Sequence, residues 1–164
     1  MRVESACNEV TAMNMVAKLL SVDDILLDVD VKNIEDFFEN IAQFLEWRHG
    51  ISAALIHASL GAREELGSTG IGHHIAIPHT RIKGLTQTIG AFARLRHAID
   101  FDAPDNQPVS MALVLLVPEH FNKEHLEMLA AAAKMFADKR FRNTLQQASN
   151  AAEIQWAFAD WSDF

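Results

Sequence analysis

The segment at residues 67–81 is rich in glycine and histidine, and it contains the side chain that is best placed for nucleophilic chemistry. The short apolar run Ile75–Ile77 predicts a buried strand, which Pro78 should end because proline cannot donate to a strand ladder. Proline also biases the residue before it toward extended backbone. His79 should therefore lie just past a strand end, with its backbone direction restricted. Since neutral imidazole is a nucleophile near pH 7, His79 is a candidate acceptor for a phosphoryl group.

Two groups that precede His79 could hold an anion beside it. The backbone N–H groups of the glycine-rich loop, at Gly70, Ile71 and Gly72, can form a concave anion site. Arg63 falls in the last turn of a predicted helix, and its guanidinium fork can bind two phosphate oxygens. Each group also has a plainer interpretation. Arg63 could bind only the end of its own helix, and the glycines could serve only as turns.

His125 is a third candidate, because it falls in the first turn of a predicted long helix. If Asn122 caps that helix, His125 occupies the third helical position, where its side chain could face outward. From there it could donate a hydrogen bond to a phosphoryl group on His79. The alternative is that His125 is only a surface residue of the helix.

Three histidines of the segment, His73, His74 and His79, also suggest a zinc site. Adjacent residues on an extended strand point to opposite faces, and no cysteine or nearby carboxylate completes a set of four ligands. We therefore predict no metal here, and the chemistry of a histidine acceptor requires no organic cofactor. The sequence assigns no role to His73 or His74.

The composition excludes several classes of protein. The chain has 164 residues, and its formal net charge of −8 argues against binding to nucleic acid or to anionic membrane surfaces. Cys7 is the only cysteine, so there is no disulfide framework. The sequence shows no signal-peptide pattern and no apolar run near the roughly 20 residues that span a bilayer. We expect a cytoplasmic protein without membrane insertion.

Residues 1–14 are polar and aperiodic and predict a mobile tail, and residues 15–160 predict one domain. Residues typical of helix ends occur at Asn33, Gly50, Ser52, Gly67 and Asn122. They indicate a helix from residue 34 to 49, a second helix that ends before Gly67, and a long helix after Asn122. Two shorter helical patterns follow, around residues 141–147 and 151–161.

The spacing of apolar residues predicts which face two of these helices bury. For the helix after Ser52, the expected inner residues are Leu55, Ala58, Ala62 and Leu66. For the helix after Asn122, they are Leu126, Leu129, Ala130, Ala133, Met135 and Phe136.

Strand patterns occur at Ile25–Val31, Thr88–Leu95 and Val109–Val117, in addition to the run before Pro78. The third is almost continuously apolar, which is typical of a strand that is covered on both faces. Strands and helices alternate only in part, and some strands are joined by loops that are too short for a crossover. This order favours an α/β fold, a mixed sheet with helices on both faces.

Several segments together resemble a known family. The decisive ones are Arg63–Gly72, with its Gly-Ser-Thr-Gly-Ile-Gly run, and Ile75–His79, with its Ile-Ala-Ile-Pro-His run. Phe101–Val109, Leu115–Pro118 and the pair at residues 125–126 agree with them. The chain resembles the enzyme IIA domains of the bacterial phosphotransferase system, of the fructose/mannitol type, over about residues 15–160. Within that family it is most similar to the nitrogen-regulatory branch.

The resemblance implies a site and a fold. The phosphoryl group should be carried on Nε2 of His79, with Arg63 as the supporting arginine and His125 as the second active-site histidine. The family's fold is a single-domain α/β sandwich with a mixed sheet of about five strands. The chain departs from the family at His74 and Thr80, where smaller residues are common.

The resemblance also implies partners. The donor should be an HPr-type phosphocarrier protein of the nitrogen branch, which should dock on an apolar rim at Ile71 and Ile75. The favoured function is a regulatory phosphocarrier whose targets, such as transporters or sensor kinases, the sequence does not identify. One alternative is a sugar-uptake enzyme IIA that passes phosphate to a IIB domain. Another is a IIA-like binding module that no longer transfers phosphate.

Overall fold

The computed structural model describes residues 15–120 and 122–162, so the expected tail at residues 1–14 lies outside the described residues. The chain forms two compact units. One is Leu26–Glu119, and the other joins the segment up to Ile25 with the segment from His120 onward. In the latter, residues 15–19 form a helix, α1, and a 3-10 turn follows at Val22–Asp24.

The unit Leu26–Glu119 combines two helices with a six-stranded mixed sheet. Its elements are β1 (Ile25–Val29), α2 (Ile34–His49), α3 (Ala53–Glu65), β2 (Gly70–Gly72), β3 (Ile75–Ala76), β4 (His79–Ile82), β5 (Ile89–Ile99) and β6 (Val109–Pro118). The strand order is β1–β5–β6–β3–β2, and β4 also pairs with β6. The predicted α/β fold with a mixed sheet is confirmed, with six strands in place of about five.

Strand β6 is the centre of this sheet. It pairs antiparallel with β5 and parallel with both β3 and β4. From Met111 to Leu116 its residues are at most 3% exposed, as its continuous apolar pattern predicts. Alternate residues of the strand, Ala112, Val114 and Leu116, join one core cluster with side chains of α2 and α3. These two helices are therefore packed against the sheet that carries the segment before and after Pro78.

The helix ends follow the predicted capping residues. Asn33 accepts a hydrogen bond from the N–H of Asp36, and Gly50 ends α2 with a left-handed φ of 74°. Ser52 accepts from the N–H of Leu55 at the start of α3. These side chains satisfy N–H groups that the first turn of a helix leaves unpaired, so local chemistry is enough to place the boundaries.

The predicted inner face of α3 is wrong. The helix buries Ile56 and Leu60, whereas Leu55 is 42% exposed and Leu66 is 85% exposed. Ala58 and Ala62 are exposed as well. The cause is that five of the helix's residues are alanine or glycine, so two neighbouring stripes carry similar apolar character. Packing of Ile56 and Leu60 into the core cluster decides between them.

The second unit contains α4 (Lys123–Ala137), α5 (Lys139–Gln147) and α6 (Ala151–Asp160). Its core includes three aromatic rings, Phe136, Phe141 and Phe158, with centroids 5.1–6.0 Å apart. Asn122 caps α4 by accepting from the N–H of His125, as predicted. The predicted inner face is only partly right, because Met135 and Phe136 are buried while Leu126 is 54% exposed.

Candidate functional site

His79 lies past the end of β3, which stops at Ala76, as predicted, and it is also the first residue of β4, a strand that the sequence did not predict. It pairs in parallel register with Leu115 of β6. Just before it, the carbonyl oxygen of Pro78 accepts a hydrogen bond of 2.9 Å from the N–H of Leu115. Strands β3 and β4 therefore pair one after the other with the same edge of β6. Pro78, which has no N–H, lies between the two strands. The backbone at His79 is therefore held by the buried strand β6.

The imidazole of His79 has a defined tautomer. Its Nδ1 lies 2.8 Å from the carbonyl oxygen of Ile77. A carbonyl oxygen only accepts hydrogen bonds, so in the neutral ring the proton is on Nδ1. The other nitrogen, Nε2, is then unprotonated and has its lone pair available for attack on an electrophile.

The environment keeps this ring neutral. Burial lowers the pKa of His79 below 6.5, and the positive charge of Arg63 lowers it further. The hydrogen bond to Ile77 and the negative charge of Glu64 act in the opposite direction and raise the pKa, but the net direction is downward. At neutral pH the residue is therefore a neutral imidazole with a free lone pair on Nε2.

Arg63 stands in the last turn of α3, and its side chain is half-buried. Its Nη1 donates a hydrogen bond of 2.8 Å to the carbonyl oxygen of Gly67. The plain interpretation, that Arg63 binds the end of its own helix, is thus part of its role. A guanidinium has five N–H donors, however, so the hydrogen bond to Gly67 does not prevent Arg63 from also binding an anion.

The residue after Arg63 also contributes to the site. Glu64 accepts two hydrogen bonds from Thr69, one from its N–H at 2.9 Å and one from its hydroxyl at 2.7 Å. Neither Glu64 nor Thr69 was predicted from the sequence to have a function. The one sequence feature that could have pointed to Glu64 is its position directly after Arg63, a candidate phosphate-binding residue.

The predicted glycine-rich loop is a hairpin. Strand β2 pairs antiparallel with β3, and Gly72 is the register partner of Ile75. The two residues between them, His73 and His74, have φ values of 56° and 66°. Two central residues with positive φ are the mark of a type I′ turn, in which Asn-Gly is preferred. His73 and His74 are therefore the tip of a two-residue hairpin, and both are exposed.

The expectation of a free backbone cradle at Gly70, Ile71 and Gly72 is wrong for Gly70. Its N–H donates to the hydroxyl oxygen of Ser68 at 3.0 Å, and that hydroxyl donates to the carbonyl oxygen of Phe101. Glycine is required at this position by packing, since a Cβ there would lie 2.9 Å from the Cβ of Ala103. The anion role of Ile71 and Gly72 stays a prediction.

The connection between β5 and β6 holds the hairpin in place. The carboxylate of Asp105 accepts from the N–H of His73 at 3.0 Å, and Nδ1 of His74 lies 2.8 Å from the carbonyl oxygen of Pro108. The carbonyl oxygen of His74 accepts from the N–H of Ser110 at 2.9 Å. The N–H bonds of Gln107 and His73 lower the pKa of the Asp105 carboxyl. Asp105 thus accepts a hydrogen bond within its own turn, from Gln107, and a second one that holds the hairpin, from His73.

Of the two residues predicted to form a docking rim, Ile71 is exposed and Ile75 is not. Ile75 is fully buried, so it cannot contact a partner, because its strand lies against β6. Ile71 is 38% exposed, as a rim requires. Leu66, which was predicted to be an inner residue of α3, is 85% exposed three residues after Arg63. Its exposure follows from the turn of α3 toward Ile56 and Leu60.

His125 lies in the other unit, at the third position of α4. It is 7% exposed, so the prediction that it faces outward is wrong, and so is the alternative of a plain surface residue. No group of three His, Cys, Asp or Glu residues within residues 15–120 and 122–162 is arranged to hold a metal ion. In the same ranges, no helix has both the length and the apolar character of a membrane span.

Comparisons with known proteins show the family to which the chain belongs. The profile of the family described as "Phosphoenolpyruvate-dependent sugar phosphotransferase system, EIIA 2" matches residues 18–160. A nitrogen regulatory protein of Pseudomonas aeruginosa is 44% identical over 108 residues, which are 66% of this chain and 70% of that protein. Its counterpart in Klebsiella oxytoca is 39% identical over 117 residues, or 71% of this chain and 72% of that protein.

A solved structure is similar over a greater length. The crystal structure of the nitrogen regulatory protein IIA-Ntr from Neisseria meningitidis is 41% identical in sequence. It superposes with a TM-score of 0.84 and covers 88% of this chain and 99% of that one.

Proposed function

Because this chain belongs to the EIIA type 2 family of the phosphoenolpyruvate-dependent sugar phosphotransferase system, we propose that it is a cytoplasmic regulatory phosphocarrier. It accepts a phosphoryl group on Nε2 of His79 from the phosphohistidine of an HPr-type carrier protein. The observation that carries this proposal is the bond between Nδ1 of His79 and the carbonyl oxygen of Ile77. That bond leaves Nε2 as the nucleophilic nitrogen of the ring.

In the transfer step, the lone pair on Nε2 of His79 attacks phosphorus as the nitrogen–phosphorus bond of the carrier breaks. The electron pair of that bond returns to the carrier's histidine. Attack through Nε2 while Nδ1 keeps its proton leaves a positive charge on the ring, which the carbonyl oxygen of Ile77 stabilises. The same charge makes the ring a better leaving group, so the phosphoryl group can be passed on.

Arg63 contributes charge stabilisation. Its positive charge acts on the His79 ring already in the unphosphorylated protein, where it lowers the pKa of His79. The same guanidinium is suited to the equatorial oxygens of the transferring phosphoryl group, where negative charge is spread in the transition state. Catalysis then consists of positioning and electrostatics, with no metal or organic cofactor.

The partner surface follows from exposure. Leu66, just after α3, and Ile71, in strand β2 of the hairpin, are large apolar side chains that are exposed. An apolar surface of this kind suits the docking of a carrier protein of the nitrogen branch, and it replaces the rim expected at Ile71 and Ile75. Targets such as transporters or sensor kinases would bind according to the phosphorylation state.

A regulatory role is favoured over sugar uptake by the relatives, two of which are named nitrogen regulatory proteins and are about 40% identical to this chain. In the alternative role, the phosphoryl group would pass from His79 to a IIB domain. A binding module without transfer is disfavoured because His79 has the tautomer and the lowered pKa of an acceptor.

The test is incubation with phosphoenolpyruvate, enzyme I and HPr-type carriers, followed by mass spectrometry of the intact protein. We expect a mass increase of one phosphoryl group in the wild type and none in His79→Ala. The exposed hairpin variant His73→Asn, which keeps a residue suited to positive φ, is the matched control and should be phosphorylated normally. Stoichiometric phosphate on His79→Ala would disprove the assignment of His79. Addition of a IIB domain distinguishes the regulatory role from the sugar-uptake role, because only in the latter does the phosphoryl group pass from His79 to the IIB domain.

A further inference from the structure

Hydrogen bonds connect His79 to two residues that do not take part in the proposed transfer step. The connection begins at the C-terminal end of α3, where both carboxylate oxygens of Glu64 bind Thr69, one through its N–H and one through its hydroxyl. Thr69 is 4% exposed, so this pair is shielded from water on the threonine side. A bidentate contact of an ionised carboxylate is among the stronger hydrogen-bond arrangements in proteins, and it fixes the orientation of Thr69.

The next link joins Thr69 to the strand before His79. The carbonyl oxygen of Thr69 accepts a hydrogen bond of 3.0 Å from the N–H of Ile77. The side chain of Ile77 is 4% exposed, and the following residue is Pro78, whose ring restricts the conformation of Ile77. Ile77 is thus held by its N–H, by its side chain and by its neighbour in the chain.

The last link reaches the imidazole. The carbonyl oxygen of Ile77 accepts the hydrogen bond from Nδ1 of His79 at 2.8 Å. A neutral imidazole can place its proton on either nitrogen, and only the Nδ1–H form makes this bond. If the carbonyl group moved away, the form with the proton on Nε2 would gain population, and that form has no lone pair on the accepting nitrogen.

From this chain of contacts we propose that Glu64 and Thr69 are positioning residues, which hold the Ile77 carbonyl group where it keeps the proton of His79 on Nδ1. The inference rests on the proposed function, in which Nε2 of His79 accepts the phosphoryl group. Neither residue touches the reacting atoms. Their effect is to keep the nucleophilic tautomer and the direction of the ring constant through the transfer.

Glu64 acts in a second, separable way. Its negative charge raises the pKa of His79, so its replacement changes the charge near the ring as well as the contacts of Thr69. Replacement of Thr69 leaves the carboxylate in place. A comparison of variants at the two positions therefore distinguishes the loss of positioning from the loss of charge.

The variants are Thr69→Val, which removes the hydroxyl at nearly constant shape, and Glu64→Gln, which removes one of the two carboxylate acceptors. Thr69→Ser keeps the hydroxyl and serves as the rescue. The matched control is Thr80→Val. Thr80 is the neighbour of His79, and its half-buried hydroxyl donates to the carbonyl oxygen of Ser59 at 3.2 Å, outside the Glu64–Thr69–Ile77 connection.

Two quantities are measured on each full-length protein. One is the tautomer of His79, from the 15N chemical shifts of its ring at a pH where it is neutral. The other is the rate of phosphoryl transfer from the phosphorylated HPr-type carrier, at a temperature well below every melting point. For Thr69→Val and Glu64→Gln we expect a mixture of tautomers and a transfer rate about tenfold lower, as for a misplaced reactive group. Thr69→Ser and Thr80→Val should keep the Nδ1–H tautomer and the wild-type rate.

The proposal is wrong if Thr69→Val and Glu64→Gln melt at lower temperature but keep the wild-type tautomer and transfer rate, because the Glu64–Thr69–Ile77 connection would then be only structural. Glu64→Gln is almost isosteric, so it decides the matter if Thr69→Val does not fold. The tautomer is measured without any phosphate. If the wild type accepts no phosphoryl group, the proposed function fails, while the spectra still decide whether Glu64 and Thr69 control the ring.

Discussion

A Cβ atom on Gly70 would lie 2.9 Å from the Cβ of Ala103 and 3.2 Å from its Cα. Carbon atoms in favourable contact are about 3.5–4.0 Å apart, so no side chain fits between these two residues. The backbone of β2 is therefore in direct contact with the connection between β5 and β6. This contact fixes the position of the hairpin of β2 and β3, and β3 is the strand that leads to His79.

Gly70→Ala should therefore destabilise the protein by about 1–3 kcal/mol, as for an overpacked core position. Thermal unfolding followed by circular dichroism measures the change. Ala103→Gly should recover much of the loss when the two changes are combined, since it removes the atom that the new methyl group meets. Gly61→Ala is the matched control. It lies in α3 with open space around its Cβ, and it should stabilise by roughly 0.5–1 kcal/mol.

The rate of phosphoryl transfer to this protein should depend on pH in the acidic range. His79 has a pKa below 6.5, and only its neutral form has a lone pair on Nε2. The rate should be highest at neutral and higher pH and should fall as the pH drops, with the midpoint of the fall at the lowered pKa of His79, below pH 6.5. An NMR titration of the ring, compared with transfer rates over the same range, checks this. A decline whose midpoint lies at or above pH 6.5 would contradict it, once the pH dependence of the donor is subtracted.

The same ionisation makes the free energy of unfolding depend on pH. The folded state binds the proton of His79 less readily than the unfolded chain, whose pKa is near 6.5. The contribution of His79 to stability is therefore complete above pH 6.5. It is lost as the pH falls from 6.5 through the lowered pKa of the folded state. Urea unfolding at several pH values should show a smaller loss over this range for His79→Gln than for the wild type.

Arg63→Lys should slow phosphoryl transfer with little change in melting temperature. Lysine keeps the positive charge and can still bind the carbonyl oxygen of Gly67, but it lacks the planar fork that matches two phosphate oxygens. A loss of about 10- to 100-fold in rate is expected for one stabilising contact in the transition state. In Arg63→Gln the pKa of His79 should rise as well, because a charge that lowers it is removed. An unchanged transfer rate in Arg63→Lys would remove Arg63 from the mechanism.

His125 is predicted from the family resemblance to contribute to transfer. His125→Ala should slow transfer in at least one direction, and His125→Gln, which keeps an N–H donor, should restore part of the rate. Because the residue is 7% exposed, both variants require a melting curve to separate loss of rate from loss of fold. Wild-type kinetics in both variants, with the fold intact, would assign His125 a structural role only.

Local chemistry made much of the fold predictable. Asn33, Ser52 and Asn122 cap their helices through their own side chains, and no distant contact is required for that. The apolar run of β6 is too continuous for any position except the centre of a covered sheet. His79 could be selected from sequence because Pro78 and the glycine-rich motif before it are local features.

The orientation of helices could not be predicted in the same way. In α3 and α4, apolar residues occupy two neighbouring stripes, and the pattern alone favoured the stripes with Leu55 and Leu126. In the structure, the buried stripes are those with Ile56 and His125. For α3 the choice follows from contacts with a core cluster whose members lie far away in the chain, and no periodicity encodes such contacts.

The state of the candidate site also depends on distant contacts. The residue types between Arg63 and His79, and the places where the chain can turn, are given by the order of amino acids alone. The hydrogen bond from the N–H of Gly70 to Ser68 and the binding of Thr69 by the carboxylate of Glu64 exist only in the folded protein. The physical reason is that a hydrogen bond depends on distance and direction within a few tenths of an ångström, and these are set when β3 and β4 pair with β6.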